Sequence, residues 1–199
     1  ELVLELLKSS KWSQVTVLAR RRLEEWDKLD EAEKKKLNVM LTESLDSLED
    51  YSKYNLKGYS SFFCCLGIPY GDAATPDIYK QVNCTYPLNG AKLASYYKIP
   101  HFSLVSGEGI HSKSWFTPMR VRGEMEDELQ KLEFKNTSFF KPALITDRRE
   151  KLKTFEKIGK YIPLLPKISA QQVARGLIID AELQHSDPYK EKNITYSNT

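Results

Sequence analysis

Three consecutive arginines form a cluster of positive charge that could bind a phosphate group. Arg20, Arg21 and Arg22 directly follow residues 15–19, an apolar run with β-branched residues that predicts a strand. A guanidinium group pairs with phosphate oxygens through two parallel hydrogen bonds. In nucleotide-binding βαβ units, an arginine at this place accommodates the 2′-phosphate of NADP, whereas an acidic residue favours NAD. The alternative is a solvated basic turn.

A second stretch that could supply active-site residues runs over residues 101–128. It begins with an apolar run, residues 102–105, which predicts a buried strand, and continues through a turn of small residues that includes Ser106. Thr117 and Pro118 then predict a helix start, because threonine is a common N-cap and proline is tolerated at the first helical position. Four residues at helical spacing would face a core: Val121, Met125, Leu129 and Leu132.

This order of strand, serine and helix resembles the active-site segment of the short-chain dehydrogenase/reductase superfamily. The closest resemblance is to the atypical branch that contains the Tat-interacting-protein oxidoreductase. Residues 123–126 read Gly-Glu-Met-Glu and match the family's Gly-Glu-(Val/Met)-Glu, which follows a Tyr-x-x-x-Lys pair. Counting back from that motif places Arg122 at the lysine position and Pro118 at the tyrosine position, while Ser106 falls on the serine position. The resemblance covers nearly all of the 199 residues.

The resemblance implies a degenerate catalytic site. In the family, the tyrosine donates a proton, the lysine lowers the tyrosine pKa and binds the ribose, and the serine binds the substrate oxygen. Ser106 is retained, Pro118 has no proton to give, and Arg122 can still reach a ribose hydroxyl. Among nearby residues, His111 is the best substitute donor by its pKa, although a loop histidine is more often simply solvated.

The resemblance implies further cofactor contacts at the ends of two other strands. Residues 61–67 form a continuous apolar run typical of a central parallel strand. In the family, its Cys-Leu-Gly end passes under the cofactor, which assigns Leu66 and Gly67 to the binding site. Glycine suits a close approach of backbone to ligand, although a plain strand terminator is an equal alternative. Pro142 is the retained proline of the family's Phe-Arg-Pro-Gly, whose backbone lies against the nicotinamide.

The remaining periodicity predicts helices alternating with strands. Helices are expected at residues 1–9, 43–54, 77–98 with an interruption at Pro87, 150–160 and 169–183; strands at residues 37–42, 138–145 and 194–197. This pattern predicts an α/β, Rossmann-like, doubly wound and mostly parallel sheet with helices on both faces. We expect residues 1–199 to form a single NAD(P)-binding domain, with the first strand and Gly-rich turn of the fold lying ahead of Glu1.

The composition is that of a globular protein with no strong charge bias. Hydrophobic residues make up 41% and charged residues 29%, and the net charge of +3 is too small to predict nucleic-acid binding. Because no apolar run approaches about 18 residues, we expect no integral membrane segment. Two of the three cysteines are adjacent within an apolar run, which favours buried thiols in an intracellular, reducing compartment, cytoplasmic or mitochondrial.

Three functions fit these observations. The leading expectation is a catalytically degenerate protein that binds NADP(H) as a structural or sensing ligand. It would act through protein partners, for example as a subunit of a larger assembly. The second is an active NADPH-dependent oxidoreductase with a substitute proton donor. The third is a nucleotide-free scaffold. No zinc-binding pattern is present, so no metal is expected.

Overall fold

The computed structural model describes residues 1–46, 48, 50–147, 166–186 and 193–197. The described residues form eight strands and six α-helices. The strands are β1 (Val15–Ala19), β2 (Leu37–Leu41), β3 (Ser61–Cys64), β4 (His101–Val105), β5 (Asn136–Lys141), β6 (Leu144–Thr146), β7 (Lys167–Ser169) and β8 (Asn193–Ser197). The helices are α1 (Leu2–Lys8), α2 (Glu31–Lys36), α3 (Pro76–Lys80), α4 (Tyr86–Tyr96), α5 (Thr117–Gln130) and α6 (Ala170–Ser186).

Every strand pair in the described structure is parallel. The strand order is β3-β4-β5-β8 in the largest sheet, and β1 pairs with β2 in a second sheet. A third, two-stranded sheet joins β6 to β7. The predicted α/β class with a parallel sheet is therefore confirmed. One edge of β1 and one edge of β3 have no strand partner among the described residues.

Alternate residues of the four-stranded sheet pack against helices on opposite faces. Phe102, Leu104 and Phe139 belong to a core that also contains buried residues of α4 and α5. Phe140 instead packs with Val173 of α6 in a separate cluster. This period of two is what a strand covered on both faces requires. Together the two clusters confirm the expectation of helices on both faces.

Side-chain caps begin three of the described helices, α2, α3 and α6. Asp30 and Glu33 form a reciprocal capping box at the start of α2. Ser169 accepts a hydrogen bond from the backbone N–H of Gln172 at 3.1 Å, and the Gln172 side chain accepts from the Ser169 N–H at 2.9 Å. Ser169 is thus the N-cap of α6, at the start of the helix predicted for residues 169–183. The predicted cap at Thr117 was one residue late, since Phe116 is the N-cap of α5.

The helix predicted at residues 43–54 was wrong. The described part of this segment contains one short 3₁₀ turn, Tyr51–Lys53, where the Asp50 side chain accepts from the Ser52 N–H. Ser44 and Asp46 bond to each other in the same way. Short polar side chains that bond to nearby backbone compete with a helix, and here they prevail.

Pro87 does not split the predicted helix as expected. A π-helical turn, Gln81–Thr85, joins α3 to α4, and Pro87 lies in the first turn of α4. The wider π turn changes the hydrogen-bond pattern just before Pro87, so the missing proline N–H does not interrupt the helix. The predicted helix at residues 150–160 lies outside the described residues.

A buried polar network connects α6 to the sheet. His101 is 1% exposed, and its Nδ1 lies 2.9 Å from Ser61 Oγ. Its Nε2 lies 3.3 Å from Asp180 Oδ2. Tyr196 of β8 donates to Asp180 Oδ1 at 2.7 Å, and Gln184 donates to the same oxygen at 3.0 Å. The Asp180 carboxylate therefore joins α6 to β4 and β8.

We expect this carboxylate to make the protein less stable in acid. Burial raises the Asp180 pKa. Hydrogen bonds from four side chains outweigh this effect and lower the pKa to about 2; they come from His101, Gln184, Ser138 and Tyr196. Because the pKa is lower in the folded than in the unfolded chain, where it is about 3.9, the stabilisation is complete above about pH 4 and is lost as the pH falls towards 2. The contribution is about 2 kcal/mol.

Urea unfolding of the wild type and Asp180→Asn between pH 2 and 7 measures this contribution. Below pH 4, the unfolding free energy of the variant should fall less than that of the wild type. Asp27→Asn is the matched control, because Asp27 lies in an exposed pair with Arg22. Parallel pH profiles for wild type and Asp180→Asn would show that Asp180 is not the responsible group.

Candidate nucleotide site

The Arg122 guanidinium lies between the carboxyl ends of β3 and β4. A Cβ atom built on Gly67 would be 3.9 Å from Arg122 Nη2, and one built on Gly107 would be 3.8 Å from Nη1. Within the described part of the chain, Arg122 Nε is buried and has no hydrogen-bond partner. A buried donor on a cation is destabilising when it is left unpaired. This arrangement fits a ligand that brings phosphate or hydroxyl oxygens to the ends of these strands.

Gly67 and Leu66 lie on the loop that follows β3. The strand ends at Cys64 rather than extending to Gly67 as predicted, and Leu66 is 38% exposed. The Cβ built on Gly67 would also be 3.1 Å from Asn83 Oδ1, which accepts from the Ile68 N–H. Gly67 is therefore a close-approach position beside Arg122, as its proposed role requires. Whether it contacts a cofactor stays a prediction.

Pro118 occupies the first turn of α5 and is buried. Its carbonyl oxygen accepts a hydrogen bond from the Tyr79 hydroxyl at 3.2 Å. Proline supplies no proton, so the side chain at this position takes no part in acid–base chemistry. The structure instead places a phenol from α3 at this point of α5. Sequence reasoning missed Tyr79, because 39 residues separate it from Pro118 along the chain.

The Ser106 hydroxyl is directed into the protein. It donates to Glu126 Oε1, and both residues are buried. Lys141 Nζ lies 2.6 Å from the other oxygen of Glu126 and donates to the Ile110 carbonyl at 2.9 Å. Ser106 would have to leave Glu126 to bind a substrate oxygen, and its catalytic role stays a prediction. Sequence reasoning also missed this ion pair, although Glu126 closes the matched motif.

The loop of residues 107–116 packs against α5. The backbone of His111 and Ser112 passes so close to Gly123 that a Cβ there would lie 2.1 Å from the His111 carbonyl carbon. The His111 side chain is exposed, and the contact with α5 is made by its backbone. Pro142 is buried after β5, and its carbonyl accepts the Glu108 N–H at 3.2 Å. Gly123 and Pro142 therefore hold the loop beside Arg122.

Arg20 and Arg21 lie at the carboxyl end of β1 and are exposed. Arg22 forms a 3.0 Å ion pair with Asp27, whereas the described residues provide no hydrogen-bond or ion-pair partner for the other two guanidinium groups. Both are thus available to an anionic ligand. The structure does not bring them into contact with Arg122, and their assignment to a 2′-phosphate remains a prediction.

The thiols near the site are poor nucleophiles. Burial raises the pKa of Cys64 and of Cys84 to about 11, although the charge of Arg122 lowers both in part. Cys65 is exposed, contrary to the expectation of a buried thiol. Among the described residues, no three metal-binding side chains form a cluster. No helix in this part of the chain has the length and apolarity needed to cross a membrane.

Two solved structures with a similar architecture contain a nicotinamide dinucleotide. MoeE5, solved with UDP-glucose and NAD, superposes with a TM-score of 0.70 at 13% identity, over 98% of this chain and 70% of MoeE5. Triphenylmethane reductase from Citrobacter sp., solved with NADP(H), gives a TM-score of 0.52 at 18% identity, over 73% of this chain and 46% of the reductase. The fold is thus the Rossmann-like α/β fold of NAD(P)-binding epimerases and reductases.

Sequence relatives specify the family within this fold. Protein HTATIP2 of Rattus norvegicus is 31% identical over 150 residues, which are 75% of this chain and 59% of the relative. Protein FMP52-2, mitochondrial, of Scheffersomyces stipitis is 25% identical over 77% of this chain and 66% of the relative. No family model matches the chain. The relatives and the fold together place the chain in the atypical short-chain dehydrogenase/reductase family. It spans less than two thirds of either relative's length.

Proposed function

We propose that the protein binds NADP(H) across the carboxyl ends of β1, β3 and β4. The observation that carries this proposal is the buried, unpartnered Nε of Arg122 between Gly67 and Gly107. Arg122 would hold the ribose hydroxyls, with Leu66, Gly67 and Pro142 beside it, and Arg20 and Arg21 would pair with the 2′-phosphate. The nucleotide, when bound, supplies hydride-transfer chemistry.

The strand order supports a nucleotide site that needs one more element. The open edges of β1 and β3 leave room in the order for a further parallel strand between them. In a Rossmann fold, this central strand leads into the Gly-rich turn that binds the pyrophosphate. We propose that such a strand and turn complete the site in the full-length protein. Nucleotide binding must therefore be measured on the full-length protein.

Two modes of action fit this site, and each has an observation behind it. In the first, the nucleotide is a structural or sensing ligand and the protein acts through protein partners. Pro118 and the inward-facing Ser106 support this mode, because neither offers its side chain to a substrate. In the second, the protein is an active NADPH-dependent oxidoreductase with a substitute proton donor. The Tyr79 hydroxyl at the Pro118 carbonyl supports this mode.

The names of the fungal relatives bear on localisation. Proteins FMP52-2 of Scheffersomyces stipitis and FMP52 of Debaryomyces hansenii are both named as mitochondrial. They favour the mitochondrial alternative among the two compartments that the sequence predicts. Two buried, unpaired thiols, Cys64 and Cys84, agree with a reducing environment.

We expect Arg20→Glu combined with Arg21→Glu to weaken NADPH binding about 100-fold or more. Each charge-assisted hydrogen bond contributes roughly 1.5–3 kcal/mol, and the new carboxylates would repel the 2′-phosphate. NADH affinity should change little, because NADH lacks that phosphate. Isothermal titration calorimetry of the full-length protein with both nucleotides measures the two effects.

Arg22→Glu is the matched control for this pair of substitutions, because Arg22 already has Asp27 as a partner. It should weaken NADPH binding much less than the double variant does. An equal loss of NADPH and NADH affinity in the double variant would refute the 2′-phosphate assignment. If the wild-type protein binds neither nucleotide, the proposed function fails and the nucleotide-free scaffold remains.

A further inference from the structure

Tyr79 brings a buried phenol to the site. The residue lies near the end of α3 and is 6% exposed, and its hydroxyl donates to the Pro118 carbonyl at 3.2 Å. Hydroxyl–oxygen hydrogen bonds are usually 2.7–2.8 Å long, so this bond is weak. The Pro118 carbonyl oxygen can also accept a backbone N–H from the next turn of α5. The phenol proton can therefore turn to another acceptor without leaving an unsatisfied carbonyl.

Arg122 lies beside this hydroxyl. Burial raises the Tyr79 pKa, while the positive charge of Arg122 and a hydrogen bond from its side chain lower it. Cys84 and Tyr70 also face the phenol, and each would raise its pKa if ionised. The phenol is consequently protonated at neutral pH. Arg122 is the group that would stabilise the tyrosinate left after a proton is given up.

We propose that Tyr79 is the proton donor for carbonyl reduction at this site, with Arg122 stabilising its anion. The proposal rests on the NADP(H) binding proposed above and selects the second mode of action. The carbonyl carbon accepts a hydride from the reduced nicotinamide dinucleotide, which becomes oxidised. The carbonyl oxygen takes the phenol proton, and the product is an alcohol. Solvent then returns a proton to the tyrosinate.

Aromatic side chains connect Tyr79 to the protein surface and indicate the class of substrate. The Tyr70 ring lies 5.2 Å from the Tyr79 ring, and the Phe116 ring lies 6.4 Å from that of Tyr70. Trp115 continues the series and is 91% exposed. The rings of Tyr70, Trp115 and Phe116 belong to the loops after β3 and β4. An aldehyde or ketone with an aromatic or flat apolar group fits beside them.

Fluorine NMR of the full-length protein labelled with 3-fluorotyrosine tests the proposal without relying on turnover. The Tyr79 resonance is identified by its absence in Tyr79→Phe, and its pKa is read from its pH titration. NADP⁺ should lower that pKa by about one unit or more, because an adjacent positive charge favours the phenolate. NADPH, whose nicotinamide is uncharged, should lower it less. Arg122→Gln should raise it.

Turnover gives an independent measurement. With NADPH and 4-nitrobenzaldehyde as the probe, Tyr79→Phe should lower kcat about 100-fold or more, with little change in NADPH affinity. Tyr97→Phe is the matched control, since Tyr97 also donates to a backbone carbonyl, that of Tyr51 at 2.7 Å. A Tyr79 pKa unchanged by bound NADP⁺, or equal turnover in Tyr79→Phe and wild type, would overturn the proposal and leave nucleotide binding standing. Absence of NADP⁺ binding would overturn both.

Discussion

Gly123→Ala should destabilise the protein by about 3 kcal/mol or more, as expected for overpacking against immobile atoms. The added Cβ would lie 2.1 Å from the carbonyl carbon of His111 and 2.2 Å from the backbone nitrogen of Ser112. Backbone atoms cannot rotate away as the end of a side chain can. The loop must therefore lift from α5, and Gly107 beside Arg122 should move with it. We expect weaker nucleotide binding as well as lower stability.

Gly90→Ala is the matched control, because Gly90 is also a buried helical glycine. A Cβ there would lie 3.4 Å from the Phe62 ring, an ordinary contact distance. Alanine also favours a helix over glycine by about 1 kcal/mol, so this variant should be neutral or slightly stabilised. Urea unfolding of both variants measures the difference. Equal stability of the two would mean that the loop does not rest on Gly123.

Lys141→Met should destabilise the protein by about 3–5 kcal/mol, the usual effect of removing one partner of a buried ion pair. The Glu126 side chain is 6% exposed, and Lys141 Nζ lies 2.6 Å from one of its carboxylate oxygens. Without the ammonium group, the Ser106 hydroxyl is the one hydrogen-bond donor to this carboxylate that the described residues still provide. The Ile110 carbonyl also loses its donor from Lys141, so the loop after β4 should loosen.

Combining Glu126→Gln with Lys141→Met should recover much of this loss, because the buried charge disappears with its partner. The comparison pair is Lys131 and Glu128, 2.5 Å apart with side chains 67% and 57% exposed. Lys131→Met should change the unfolding free energy by less than about 1 kcal/mol. Chemical denaturation at neutral pH distinguishes these variants. A Lys141→Met protein as stable as Lys131→Met would show that the ion pair does not stabilise the fold.

Much of the architecture could be predicted because strand and helix patterns are local. The apolar runs at β1 and β4 and the helical spacing at α5 carry their own periodicity. Where local signals competed, prediction was less accurate. The polar residues after β2 bond to their own backbone rather than forming a helix, and a π turn accommodates Pro87.

The sequence by itself determined the order of elements, the family resemblance and the absence of a tyrosine at position 118. Only the tertiary structure decided where the polar side chains of the site point. Ser106 meets Glu126, 20 residues away along the chain, and Tyr79 meets the Pro118 carbonyl, 39 residues away. Arg122 reaches between two glycines from separate loops. Such contacts depend on how loops from adjacent strands pack against one helix, and periodicity within each element carries no information about that packing.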